Sequence, residues 1–95
     1  MANYYVLQYE TGEDFVDRRA PYRTEHLGLV REAHARGDVL MGGALGEPPE
    51  GAMIIFRADS PEVAEAFARV DPYVTSGVIT RWTVRRWHVV IGHQG

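Results

Sequence analysis

The chain has 95 residues, of which 45% are hydrophobic and 24% are charged, and this composition excludes a disordered, collagen-like or coiled-coil protein. The length fits one domain spanning residues 1–95 around a single core. Ten basic against 13 acidic residues give a net charge of −3, which argues against a surface that binds nucleic acid.

The first half of the chain predicts a strand followed by a helix. Aromatic and β-branched residues at positions 4–9 are typical of a strand. A helix of about four turns follows, framed by Pro21 at its start and Gly37 just after its end. At about 100° per residue, the apolar stripe of this helix contains His26, Leu29, Val30 and Ala33.

The second half predicts a hairpin, a second helix and a last strand. Residues 38–45 and 52–56 are predicted strands, and the glycines and prolines of residues 46–51 predict the loop between them. Ser60, Pro61 and Glu62 are typical of a helix start. Residues 78–90 supply the last strand. The apolar face of the second helix is expected at Val63, Ala66, Phe67 and Val70.

The resulting order, β-α-β-β-α-β, indicates a ferredoxin-like α+β fold with a four-stranded antiparallel sheet and both helices on one face. Residues 4–7 and 53–56 nevertheless place apolar side chains on both faces, because neighbouring strand residues point in opposite directions. Burying roughly a few hundred Å² of apolar sheet at ~25 cal/mol per Å² contributes several kcal/mol. We therefore predict a homodimer packed sheet to sheet through the open sheet face, in which the partner completes a dimeric α+β barrel.

Cysteine usage and hydropathy indicate the compartment. The sequence has no cysteine, and no apolar run approaches the ~20 residues needed to cross a bilayer. Residues 1–5 lack the basic start that precedes the apolar stretch of a secretory signal. We therefore expect a cytoplasmic protein without disulfides or membrane contact.

Several residues follow one another along the chain in a specific order: Arg19, Arg23, His26 and Leu27 in the first helix, Gly42 and Gly43 in the second strand, then Asp71, Pro72, Tyr73 and Gly77, and Trp87 in the last strand. In this order they resemble the YciI-like, or YCII-related, family of small dimeric α+β barrels, over nearly the whole chain. Ala44 and Arg86 depart from the family pattern, which often has proline at both positions.

The resemblance implies an active site built on His26 and Asp71. A histidine beside a carboxylate is a proton-transfer unit, because imidazole titrates near neutral pH and the carboxylate fixes its tautomer. Each residue also has a structural interpretation. His26 fits a core histidine that hydrogen-bonds inside the apolar stripe, and Asp71 fits the cap of a short turn that begins at Pro72.

Arg19, Arg23 and Tyr73 are the candidate substrate-binding residues. The two arginines lie four positions apart and border the stripe of the first helix if that helix is continuous, where they could hold an anionic oxygen or carboxylate. The alternative for them is a solvated helix edge. Tyr73, with Tyr5 and Trp87, could line an aromatic ligand pocket or belong to the core.

Neither a metal nor a cofactor is expected. His34, His88 and His93 have no metal-ligand spacing with one another or with His26. The pair Gly42-Gly43 lacks the spacing of a nucleotide-binding loop, and it is more consistent with close backbone packing or room for a ligand.

Three functions remain open from the sequence. The first is a cofactor-independent enzyme in which His26 acts as general acid or base, Asp71 orients it and Arg23 steadies anionic charge, during elimination or isomerisation of a small cyclic organic substrate. The resemblance implies dehydrochlorinase-like or muconolactone-isomerase-like chemistry here. The second is a non-catalytic module of the same fold that binds a small ligand or another protein. The third is a cofactor-free oxygenase, since one fold hosts many chemistries.

Overall fold

A four-stranded antiparallel sheet forms the framework of the molecule. In the computed structural model, which describes residues 3–92, the strands are ordered β2-β3-β1-β4 and every neighbouring pair is antiparallel. The elements follow in the order β1 (Asn3–Thr11), α1 (Phe15–Arg19), α2 (Arg23–Ala35), β2 (Val39–Leu45), β3 (Gly51–Ala58), α3 (Glu62–Val70), α4 (Pro72–Thr75) and β4 (Ile79–Trp87). The predicted ferredoxin-like α+β arrangement is confirmed.

The core lies between the helices and one face of the sheet. Tyr5, Leu7 and Tyr9 alternate along β1 with side chains that are 6%, 0% and 2% exposed. In the sheet, Tyr5 and Leu7 pair with the buried Phe56 and Ile54 of β3. The helices contribute Phe15, Ala33, Ala64, Phe67, Ala68 and Tyr73 to the same core.

The other face of the sheet, which we call the open face, carries the alternate residues of each strand. Val6 pairs with Ile55 on one side and Arg85 on the other, and Met41 extends the row on β2. Met41 is 67% exposed, and Leu45 and Trp87 on the same face are 40% and 47% exposed. Large apolar side chains are therefore left in contact with solvent in a single chain.

The first helical segment differs from the prediction at its start. The structure places Pro21 in a 3₁₀ turn, Ala20–Tyr22, which joins α1 to α2, and α1 itself has no counterpart in the prediction. Proline has no N–H to donate, so regular α-helical hydrogen bonding is interrupted there. The backbone of Arg19 and Arg23 on either side keeps right-handed helical angles, so the chain continues in the same sense. The stripe of α2 is confirmed, because its predicted members are buried or half-buried.

The predicted apolar face of α3 is wrong at two positions. Ala66 is exposed, and Val70 is 63% exposed. The buried positions are instead Ala64, Phe67 and Ala68. Small alanine side chains let the helix approach the sheet, and Phe67 packs edge-on against Phe56 with 5.5 Å between ring centroids. The helix is thus rotated about its axis relative to the prediction. Asp71, which directly follows the helix, lies inside the molecule and is 0% exposed.

The hairpin is confirmed, and the last strand is shorter than predicted. The loop between β2 and β3 closes with a hydrogen bond from the Glu50 N–H to the Leu45 carbonyl, 2.8 Å long. Gly46 has a φ of +95°, which favours glycine. β4 ends at Trp87 instead of residue 90, and Val90 and Ile91 are 89% and 91% exposed.

Candidate active site

Asp71 lies where α3 ends and α4 begins. Its extended backbone, with φ −68° and ψ 124°, ends α3, as expected for a residue that precedes proline. Its Oδ1 accepts a hydrogen bond from the backbone N–H of Tyr73 at 3.0 Å and thereby caps α4. The predicted capping role is confirmed, and the carboxylate retains lone pairs for other donors.

His26 reaches the same carboxylate from α2. Its Nδ1 lies 2.8 Å from Oδ2 and 2.9 Å from Oδ1 of Asp71. Because an ionised carboxylate only accepts hydrogen bonds, Nδ1 carries the proton and donates it. Nε2 is then the ring nitrogen left to exchange a proton with a ligand. The His26 side chain is 11% exposed and the Asp71 side chain is 0% exposed, and this burial strengthens the interaction.

Tyr9 is a third member of this buried group, and no local pattern in the sequence predicts its place there. Its hydroxyl donates a hydrogen bond to Oδ2 of Asp71 at 2.6 Å. Burial, with the neighbouring charge of Asp71 and this hydrogen bond, raises the pKa of the Tyr9 phenol far above its ordinary value, so the group stays a donor. The sequence marks Tyr9 only as a strand residue on the same face as Leu7, which indicates core.

Tyr73 forms an aromatic wall beside the imidazole. The rings of His26 and Tyr73 stack with centroids 3.8 Å apart and planes 8° from parallel. Phe15 packs edge-on against Tyr73, with 6.0 Å between centroids. Burial raises the pKa of the Tyr73 phenol, whereas the positive charges of Arg19 and Arg23 act to lower it. The stacked Tyr73 ring fixes the plane of the His26 imidazole, and the hydrogen bond from Nδ1 to Asp71 fixes the rotation of the imidazole within that plane.

A cavity of about 240 Å³ lies beside this group, between the first helical segment and strands β2 and β3. Four predicted site residues line it, namely His26, Arg19, Arg23 and Tyr73. Asp71 lies behind His26 and completes the predicted set. Arg19 is half-buried with its guanidinium 5.1 Å from the Phe15 ring centroid, and Arg23 is exposed.

Two of the aromatic residues considered for a ligand pocket lie elsewhere. Tyr5 belongs to the core, and Trp87 lies on the open face, so neither lines the cavity. The remaining lining consists of Phe15, aliphatic side chains and glycines, with Leu27, Val30 and Ile54 among the aliphatic members. Gly42 contributes backbone alone, since a Cβ there would lie 3.3 Å from Cγ1 of Ile54 and would crowd the cavity. The cavity is therefore cationic at the arginines and apolar over most of its surface.

Within residues 3–92, no three His, Asp or Glu side chains gather as a metal site would require. His93 lies outside the described residues. Among the described residues, no helix combines the length and apolarity needed to cross a membrane.

Comparison with known proteins agrees with this architecture. The model of the YCII-related domain family matches residues 2–88. Protein YciI of Escherichia coli O6:H1 and Protein YciI of Shigella flexneri are each 29% identical to the chain over 90 residues, covering 85% of this chain and 92% of the relative.

A solved structure shares the fold. It is the 5-chloro-2-hydroxyhydroquinone dehydrochlorinase of Burkholderia phenoliruptrix AC1100 in complex with 2,5-dihydroxybenzoquinone, with a TM-score of 0.74 and 18% identity. The match covers 88% of this chain and 92% of the other.

Proposed function

The chain belongs to the YCII-related family, and we propose that it is a cofactor-independent enzyme that uses His26 and Asp71 for acid–base catalysis on a small cyclic organic substrate. The reaction class is elimination or isomerisation. One observation carries the proposal: the imidazole is held by a buried carboxylate at Nδ1 and by a stacked ring on its face, and it lines a cavity. Such double fixation is what a proton-transfer group requires.

The cavity favours a small anionic ligand. Arg19 and Arg23 line it, and neither makes an ion pair with another residue of the described range 3–92. Their guanidinium groups are therefore available to a phenolate, enolate or carboxylate oxygen. A volume of about 240 Å³ lies below the ~300–1,000 Å³ of pockets for drug-sized ligands. A substrate with a single ring fits this space.

The proton chemistry follows from the tautomer. In an elimination, Nε2 of neutral His26 removes a proton from a ring carbon, the C–H electron pair forms the new double bond, and the leaving group departs with its own electron pair. Asp71 stabilises the imidazolium that forms, and the arginines stabilise charge that develops on a substrate oxygen. In an isomerisation, the same imidazolium returns the proton to another carbon.

We also propose that two copies associate through the open face. Met41, Leu45 and Trp87 would otherwise stay in water with 67%, 40% and 47% of their surfaces exposed. Burial of such side chains at ~25 cal/mol per Å² favours association. A second copy offers the same apolar surface and so is self-complementary, as a two-fold interface requires.

The proposed function is tested by turnover of a panel of substituted hydroquinones and lactones. Chlorinated hydroxyhydroquinones come first, because the structural neighbour is a dehydrochlorinase of such a compound. His26→Ala is expected to abolish turnover while a ligand still binds. His34→Ala, an exposed histidine on the same helix, is the matched control and is expected to keep it.

Two outcomes would contradict the enzyme proposal. One is turnover that survives His26→Ala, because the imidazole would then not carry the proton. The other is ligand binding without turnover for every compound in the panel, which favours a ligand-binding module. Consumption of oxygen with a quinol would instead favour the cofactor-free oxygenase.

A further inference from the structure

We propose that Tyr9 is a positioning residue of this site, which acts on His26 by sharing the carboxylate of Asp71. The catalytic meaning of this inference rests on the proposed function, but the physical coupling does not. Tyr9 comes from β1, His26 from α2 and Asp71 from the junction of α3 and α4. Three separate parts of the fold thus converge on one buried carboxylate.

The geometry makes Tyr9 and His26 competitors for the same oxygen. Oδ2 of Asp71 accepts from the Tyr9 hydroxyl at 2.6 Å and from Nδ1 of His26 at 2.8 Å. A separation of 2.6 Å lies in the range of ~2.5–2.7 Å found for strong O–H···O⁻ bonds. Tyr9 is 2% exposed, so bulk solvent has little access to this hydrogen bond. The hydrogen bond from the Tyr9 phenol stabilises part of the negative charge on Oδ2, and it therefore weakens the interaction of the same oxygen with the His26 imidazole.

Removal of the phenolic oxygen has a predictable direction. In Tyr9→Phe the ring remains, but the carboxylate offers more of its charge to His26 and so favours the imidazolium. The imidazole then becomes neutral only at higher pH. The charged and titratable groups around the imidazole are otherwise unchanged between wild type and variant, and they are Asp71, Tyr73, Arg19 and Arg23.

The test follows the His26 ring by NMR as the pH is varied, without substrate. In Tyr9→Phe, the midpoint of the titration is expected about one pH unit higher than in wild type. Tyr5→Phe is the matched control, because Tyr5 lies on the same face of β1, is 6% exposed and forms no hydrogen bond to Asp71. It is expected to leave the midpoint unchanged.

A second variant covers the case in which Tyr9→Phe does not fold. Difluorotyrosine at position 9 makes the phenol more acidic and a stronger donor, so the midpoint is expected to move to lower pH. A purely structural role for Tyr9 would not produce shifts of opposite sign. The inference is overturned if the midpoint stays within about 0.2 units of the wild-type value, on the order of measurement error, in every variant that folds, or if both variants shift it in the same direction.

Turnover separates this inference from the proposed function. The limb of the pH–rate profile that reports neutral His26 is expected to shift with the NMR midpoint in Tyr9→Phe. If the midpoint shifts but His26→Ala retains turnover, the enzyme proposal fails and the coupling stands. If His26→Ala is inactive but neither Tyr9 variant moves the midpoint, the enzyme proposal stands and the coupling fails.

Discussion

Asp71→Asn changes one atom at the centre of the buried group and almost no volume. The carboxylate accepts hydrogen bonds from the Tyr9 hydroxyl, Nδ1 of His26 and the Tyr73 N–H. Asparagine offers one acceptor oxygen and one NH₂ group. The asparagine oxygen can still accept the hydrogen bond that caps α4. Its NH₂ group, which is itself a donor, then faces the Tyr9 hydroxyl and the Nδ1–H of His26, which are also donors. His26 can relieve its mismatch by a change of tautomer, which leaves the Tyr9 hydroxyl as the mismatched donor. At ~1–3 kcal/mol for one mismatched buried group, we expect the free energy of unfolding to fall by about 1–3 kcal/mol.

The same variant should reverse the tautomer of His26. The asparagine NH₂ can donate to Nδ1 only if Nδ1 carries no proton, so the proton moves to Nε2. A nitrogen that already carries a proton cannot act as general base. We therefore expect turnover to fall by about 10²–10⁴-fold, the usual contribution of such a base.

Three measurements check this prediction: urea unfolding, the ¹⁵N shifts of the His26 ring, and turnover. Asp38→Asn is the matched control, because Asp38 pairs with Arg36 at 3.1 Å on the exposed surface and should lose little when neutralised. An Asp71→Asn protein as stable as this control, with the proton still on Nδ1, would refute the assignment of hydrogen bonds around the carboxylate.

Two further predictions concern stability in alkali and self-association. The folded pKa of Tyr9 lies far above its ordinary value of about 10, so above that pH the unfolded chain binds fewer protons than the folded one and stability falls as the pH rises. Tyr9 contributes up to ~1.4 kcal/mol per pH unit to this slope, and urea titrations should show a shallower slope in Tyr9→Phe. Met41→Glu with Trp87→Glu is expected to give folded monomers in sedimentation at micromolar concentration, whereas Val70→Glu, which is exposed on α3, should behave as wild type. Dimers that persist in the double variant would contradict association through the open face.

The sequence predicted the order of the main elements because it carries local signals for them: aromatic and β-branched residues in the strands, glycines and prolines in the hairpin loop, and apolar stripes and cap residues in the helices. The stripe of α2 places His26 inside the fold, and the residue before Pro72 is a natural helix end, so both members of the pair could be found. That they meet could not be derived from spacing, because 45 residues separate them. The family resemblance supplied the pairing, and the geometry now shows the contact.

The wrong prediction of the apolar face of α3 and the missed role of Tyr9 both have physical causes. Val70 and Ala66 are apolar, but α3 turns its small residues toward the sheet, and hydrophobicity alone does not register how closely two backbones can approach. Tyr9 was missed because its hydroxyl meets a partner 62 residues away. A tyrosine on the buried face of a strand is predicted to be a core residue unless the position of its hydrogen-bond partner is known.

The carboxylate that holds the imidazole also begins α4. A homologue that had lost proton transfer would therefore still require a hydrogen-bond acceptor at position 71, because the backbone N–H at the start of α4 needs a partner. Retention of aspartate there in a homologue would not by itself signal activity, whereas replacement of His26 beside an intact aspartate would mark a lineage that kept the scaffold and gave up the reaction.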